Sequence, residues 1–81
     1  VAVHRQRYHH GDLRKALVEA ALEITDREGS MAVGLRAVAR AVGVSQTAPY
    51  RHFADKASLL AAAAGLLRYI AENFTGRDHP L

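Results

Sequence analysis

Apolar residues recur at helical spacing near the start of the 81-residue chain. This stripe predicts a first helix from about Asp12 to Glu28, begun by Gly11 or Asp12 and ended by Gly29. Its inward residues are Leu13, Ala16, Leu17, Ala20 and Ile24. A connection over Ser30 to Gly34 follows, and in it either Met31 or Val33 should pack against the core.

A second, shorter stripe predicts a second helix. Its members are Leu35, Val38, Ala39 and Val42, at positions i, i+3, i+4 and i+7. Gly43 follows, where a helix commonly ends in a left-handed residue. We expect Val44 to fill the turn and Ser45 to cap a short third helix from about Gln46 to Phe53. Two helices joined by so short a turn form a helix-turn-helix.

The third predicted helix carries side chains that can read base edges or donate to DNA phosphates. Ala48 or Pro49, together with Phe53, would anchor it, and Pro49 would remove only its earliest hydrogen bond. The residues left facing outward are Gln46, Thr47, Tyr50 and Arg51. An ordinary helical hairpin with a solvated polar face is the alternative.

Lys56 lies in the first turn of a fourth predicted helix, capped by Asp55 or Ala54. A cation there opposes the helix macrodipole, whereas a bound phosphate would meet both the free backbone amides and the ammonium group. A solvated lysine paired with Asp55 is the alternative. Together with Tyr50 and His52, Lys56 favours a phosphate-binding site.

These residues resemble the DNA-binding domain of TetR-family transcriptional repressors over the segment Val33 to Leu60. The resemblance rests on Leu35, Val38, Ala39, Gly43, Val44, Ser45, Tyr50, Arg51, His52, Phe53, Lys56, Leu59 and Leu60. The segment Tyr8 to Glu23 resembles the start of the first helix in one branch of that family. The chain departs from the pattern at Val33 and Gly34, where the family usually has a Thr or Ser that caps the second helix and contacts a phosphate.

The resemblance implies an all-α fold, a three-helix homeodomain-like bundle with a helix-turn-helix plus a longer fourth helix. The third helix would enter the major groove. Base contacts are then expected from Gln46, Thr47, Ala48 and Arg51, and phosphate contacts from Ser45, Tyr50, His52 and Lys56. The partners implied are a pseudo-palindromic double-stranded DNA operator, a second copy bound through a C-terminal domain absent here, and a small-molecule effector that releases the repressor.

The fourth predicted helix runs from about Lys56 to Phe74, and its apolar face is wider than a three-helix core can cover. That face holds Leu59, Ala63, Leu66, Ile70 and Phe74, widened by Leu60, Ala64 and Leu67. We expect part of it to pack against the absent domain or a partner chain. An alanine-rich surface that tolerates contact with water is the alternative.

A helical protein-interaction module that docks a partner on this face is the competing function. Gly76 to Leu81 is expected to be a loop or frayed tail.

The net charge is only +3, but its distribution is uneven. Residues 1–15 and residues 35–56 each hold four basic residues against one acidic, whereas residues 16–34 hold four acidic against one basic. Residues 1–10 are expected to form a flexible basic arm, residues 11–56 the DNA-binding domain, and residues 57–81 the connecting helix and tail. Arg5 and Arg7 could follow the phosphate backbone or enter the minor groove, or the arm could simply be solvated.

Other classes of protein find little support. The chain has no cysteine, which excludes a disulfide scaffold and a thiolate metal site. Its adjacent histidines, His9 and His10, do not share a helix face, so no metal is expected. Ser45 and Ser58 have no base at a recognisable spacing, and no glycine-rich phosphate loop is present, so neither an enzyme nor a cofactor is expected. Without a signal peptide or a membrane-spanning run, a cytoplasmic bacterial protein is the simplest expectation.

Overall fold

The computed structural model describes residues 12–78, and side chains within residues 12–73. This part of the chain is helical throughout and contains no strand, which confirms the predicted all-α class. The α-helices are α1 (Leu13–Glu28), α2 (Leu35–Val42) and α3 (Lys56–Asp78), and two short 3-10 helices are η1 (Ser30–Ala32) and η2 (Ala48–Arg51). The predicted arm, with Arg5 and Arg7, lies outside the described residues.

Helix α1 carries the largest share of the core, because its apolar stripe faces both other α-helices. Leu13, Leu17, Ala20 and Ile24 are buried as predicted, while Ala16 is only partly buried. The helix ends at Gly29, whose N–H donates to the Thr25 carbonyl at 2.9 Å. The pattern of apolar residues therefore located this helix to within one residue.

Of the two apolar residues predicted to pack against the core from the connection between α1 and α2, Val33 does so and Met31 does not. Val33 is 3% exposed and joins the core, whereas Met31 is 90% exposed on η1. Gly34 then precedes α2 in extended backbone and supplies no side chain to cap its first turn. The start of α2 thus lacks the cap expected of a Thr or Ser at this position.

Helix α2 has the predicted length and the predicted inward face. Its four stripe residues, Leu35, Val38, Ala39 and Val42, are buried. Gly43 follows in the left-handed region, with φ 92° and ψ 29°. The amides of Gly43 and Val44 both donate to the Ala39 carbonyl, at 2.8 and 3.0 Å, which closes the helix with the six-residue bond of a Schellman ending. Val44 packs against the core edge as expected.

Helix α3 packs its first two turns against α1 and then leaves the core. Leu59 and Ala63 are buried, but Leu67 is 56% and Tyr69 62% exposed. The helix reaches Asp78, four residues beyond the predicted end, so the predicted loop at Gly76 is wrong as far as Asp78. Gly65 and Gly76 both continue the helix because a glycine within a helix weakens it without breaking it. No helix in this described stretch is long and apolar enough to cross a membrane.

Candidate nucleic-acid interface

The segment predicted as a third α-helix is instead the 3-10 helix η2, flanked by turns. Its amides bond three residues back: Tyr50 N–H donates to the Thr47 carbonyl at 3.1 Å, and His52 N–H to the Pro49 carbonyl at 3.0 Å. An α-helix would need an amide at Pro49 bonding to Ser45, but proline has no N–H, and its ring clashes with that carbonyl. The helix predicted over Gln46 to Phe53 is therefore present only in 3-10 form and over the shorter range Ala48–Arg51.

The apolar residues of this segment fix η2 to the core. Pro49 is fully buried, Phe53 is 3% exposed and Ala48 is 9% exposed. Both alternative anchors, Ala48 and Pro49, are thus used. The burial of Ala48 leaves little of its methyl group open to a thymine, and its base contact stays a prediction.

The polar residues of the same segment face outward. Gln46, Thr47, Arg51 and His52 are exposed, and Tyr50 is 55% exposed. Within η2 itself the first two residues, Ala48 and Pro49, are buried, and the last two, Tyr50 and Arg51, are exposed. The turn therefore presents three of the four residues expected to contact bases, Gln46, Thr47 and Arg51, on a buried base.

Ser45 is exposed but does not cap η2 through its side chain. Its hydroxyl lies 3.3 Å from the Thr47 hydroxyl, and its carbonyl accepts from the Ala48 N–H at 3.1 Å. The predicted cap was wrong because η2 begins only at Ala48, so that Thr47 and not Ser45 occupies the N-cap position, and no side chain caps this turn. The hydroxyl remains at the surface beside Thr47.

Tyr50 and Lys56 meet in a shallow groove with the first turn of α2. The groove is lined by Gly34, Leu35, Arg36, Tyr50, Ala54, Asp55 and Lys56. It is bordered by the N-termini of α2 and α3, whose free amides favour an anion. The structure thus brings together two of the predicted phosphate contacts, whereas His52 and Ser45 lie outside the lining of this groove.

Arg36 is the member of this groove that the sequence analysis missed. It lies in the first turn of α2, is exposed, and contributes a second cation beside Lys56. The available signal was a basic residue off the apolar stripe, next to the position where the resembled family places a phosphate contact. Only the folded chain shows that this turn of α2 faces Tyr50.

Asp55 caps α3 as predicted. Its Oδ1 accepts from the Ser58 backbone N–H and from the Ser58 hydroxyl, both at 2.9 Å. The backbone hydrogen bond from Ser58, followed by the hydroxyl bond, lowers the pKa of Asp55 below its ordinary value. The carboxylate is therefore occupied by the helix start. Within residues 12–73 Asp55 makes no salt bridge with Lys56, which is half-buried in the groove.

The described residues offer no grouping suited to a metal. No three His, Asp or Glu side chains come together within them. The one salt bridge seen in the described part joins Arg27 to Glu28 at 4.0 Å, away from η2. The cations around the groove are thus not neutralised by described carboxylates at salt-bridge distance.

Comparison with known proteins agrees with this geometry. Residues 17–63 match the sequence model of the family described as "Bacterial regulatory proteins, tetR family". The HTH-type transcriptional regulator BetI of Rhizobium meliloti (strain 1021) is 43% identical over 49 residues, which are 60% of this chain and 24% of that protein. The chain thus spans about a quarter of the length of this curated relative. No solved structure matches the chain.

The family match covers most of α1, all of α2 and η2, and the first turns of α3. It therefore includes both the buried anchors of η2 and the groove that holds Tyr50 and Lys56. More than half of the chain lies within the match. On this evidence the chain belongs to the TetR family of bacterial regulatory proteins, which are DNA-binding transcriptional regulators.

Proposed function

We propose that the chain is the operator-reading module of a sequence-specific regulator and that η2 enters the major groove. The observation that carries the proposal is the division of η2 into buried apolar anchors and exposed polar side chains. Gln46, Thr47 and Arg51 would face base edges. Arg51 can pair bidentately with a guanine, a contact worth about 1–3 kcal/mol of discrimination.

The phosphate contacts would hold η2 in register without reading sequence. Tyr50, Lys56 and Arg36 share one groove beside two helix N-termini, and a DNA phosphate seated there would meet two cations and free amides. Ser45 and His52 are exposed on the same segment and remain proposed phosphate contacts. Arg5 and Arg7 remain proposed contacts of the arm.

The whole protein is proposed to act as a homodimer on a pseudo-palindromic operator. Its support is the family membership and the length of the relative, four times that of the segment matched here. A dimer would place two copies of η2 about one helical turn of DNA apart. We propose further that the protein is a cytoplasmic repressor and that a small molecule bound by the remaining part releases it.

The competing function is a protein-interaction module. The exposure of Leu67 and Ile70, neighbours three residues apart on α3, favours it, because a contiguous exposed apolar patch often marks an interface. A Leu67→Asp variant separates the two functions. It would weaken association with a partner while leaving DNA affinity unchanged, since Leu67 lies about three turns beyond Lys56.

The first test is DNA binding across a salt series, measured by fluorescence anisotropy with random duplex DNA. Lys56→Gln is expected to lower the slope of log affinity against log salt by about 0.9, the effect of one lost phosphate contact. Arg68→Gln is the matched control, since it removes one exposed cation from the same helix three turns away. Equal slopes for Lys56→Gln and the unchanged chain would contradict the proposed groove.

The second test separates base contacts from phosphate contacts. Selection of binding sequences from a random duplex pool is expected to give a preferred half-site for the unchanged chain. Arg51→Ala should relax that preference at one position, whereas Lys56→Gln should weaken all sequences alike. An unchanged preference in the Arg51→Ala variant would remove Arg51 from the base-reading surface.

A further inference from the structure

We propose that Arg14, in the first turn of α1, is a further contact to the DNA backbone; this inference rests on the proposed function. Its guanidinium carbon lies 5.2 Å from the centroid of the Phe53 ring, which belongs to the segment that anchors η2. Arg14 is exposed, whereas Phe53 is 3% exposed. A ring fixed in the core therefore holds an arginine at the surface beside the reading turn.

A cation–π contact leaves an arginine able to bind a phosphate. A cation–π contact is an attraction between the charge and the ring face and consumes none of the N–H donors, so these stay available to an oxyanion. Within residues 12–73, Arg14 makes no salt bridge to a carboxylate. Arg14 is thus already positioned and its donors are unused by described acidic groups.

The position of Arg14 differs from that of the groove at Tyr50 and Lys56. Arg14 borders a separate groove between α1 and α3, lined by Asp12, Arg14, Lys15, Val18, Ala62 and Leu66, with no residue in common. The His52 ring lies 6.4 Å from the same Phe53 ring. Arg14 and His52 therefore both lie next to Phe53, and the two would extend the row of phosphate contacts beyond the groove at Lys56.

The chemistry of the surroundings fits a single phosphate. Lys15 and Asp12, the other charged residues of this groove, offset each other, so Arg14 accounts for its excess positive charge. The net charge there is positive, which favours an anion, but only modestly. A guanidinium held on a ring supplies the directed donors that the charge alone does not.

The test is the same salt series applied to two neighbouring variants of the full chain. Arg14→Gln is expected to lower the salt slope by about 0.9, so that the loss of affinity from roughly 50 to 200 mM salt becomes about 3.5-fold smaller. Lys15→Gln is the matched control: it removes the same charge from the adjacent exposed position of α1, and its slope should change much less. Circular dichroism would check that both variants fold.

Each outcome decides the proposal. The proposal is overturned if the salt slope of Arg14→Gln equals that of the unchanged chain. It is also overturned if Arg14→Gln and Lys15→Gln lower the slope equally, because the loss of any nearby charge would then explain the effect. If Arg14→Gln fails to fold, Arg14→Met keeps an apolar cover on Phe53, and the same two criteria apply to it. If Lys56→Gln lowers the slope and the Arg14 variants do not, this inference fails alone. If the unchanged chain shows no salt-dependent binding, the proposed function fails with it.

Discussion

Asp12 and Asp55 both immediately precede an α-helix, but only Asp55 caps its helix with a side-chain hydrogen bond. Asp12 has φ −114° and ψ 26°, outside the extended backbone that aims a capping side chain at the first turn. Asp55 instead accepts two hydrogen bonds from Ser58. A residue of the right type at the right position therefore caps a helix only if the backbone orients it.

Replacing the two aspartates by alanine should separate these roles. Asp55→Ala is expected to lower the Tm by roughly 4–8 °C, the usual effect of a lost cap in a domain of this size. Asp12→Ala removes the same charge from a helix start without removing a hydrogen bond, so its Tm should fall by less than half as much. Thermal unfolding followed by circular dichroism measures both. Equal shifts would mean that charge near the helix start, rather than the hydrogen bond, accounts for the stability.

The lowered pKa of Asp55 also predicts how stability depends on pH. A carboxyl whose pKa is lower in the folded state stabilises the fold above its unfolded value, here 3.8, and this contribution is lost as the pH falls through the folded pKa. Asp55→Asn keeps a capping acceptor but cannot titrate. Urea unfolding from pH 6 down to about pH 2 should show the stability advantage of the unchanged chain over this variant shrinking below about pH 4. A difference that stays constant over this range would contradict the assignment.

At the scale of the elements, two glycines, one at the end of a helix and one inside a helix, affect stability in opposite ways. Gly43 ends α2 with φ 92°, a region that L-residues rarely adopt. Gly65 lies inside α3, exposed and with no atom within 4 Å of an added Cβ. The first glycine is required by the backbone, and the second only weakens its helix.

Alanine substitutions should therefore change stability in opposite directions. Gly43→Ala is expected to lower the free energy of unfolding by about 1 kcal/mol, because alanine resists the left-handed region. Gly65→Ala should raise it by about 0.5–1 kcal/mol, because alanine is the better helix former and meets open space. Urea denaturation of the two variants measures both effects. A destabilised Gly65→Ala variant would show that something packs against this part of α3.

The sequence could predict α1 and α2 closely because their apolar stripes and terminal glycines are local features. Gly29 and Gly43 marked the ends of these helices without knowledge of the rest of the fold. Pro49 itself disfavours an α-helix because it lacks an N–H, but the burial of both Ala48 and Pro49 required the packed chain. The choice between Met31 and Val33, and the place of Arg36 beside Tyr50, likewise required the packed chain.

At the scale of the whole molecule, the structure has a well-packed end and an exposed end. Helix α1 packs against both α2 and α3, and Leu17, Val38 and Leu59 are fully buried where they meet. The later turns of α3 carry the exposed Leu67 and Tyr69. The proposed reading surface thus lies at the packed end, and the exposed end of α3 is left available for contact with further protein.

Joining two copies should therefore increase affinity without new contacts. A chain fused after Leu81 to a dimeric coiled coil through a flexible linker is expected to bind a duplex with two selected half-sites about 10²–10⁴-fold more tightly than the single chain. A duplex with one half-site is the control and should show little gain. Anisotropy titrations measure both. No preference for two half-sites over one, at several spacings, would contradict the proposed paired operator.

The separation of buried from exposed residues in and beside η2 has a consequence for how such a regulator can evolve. The side chains that hold the turn, chiefly Pro49 and Phe53, are separate from those proposed to read bases, Gln46, Thr47 and Arg51. Substitutions at exposed positions usually change stability by less than about 0.5 kcal/mol. New operator preferences can therefore be sampled one residue at a time without a search for a new scaffold.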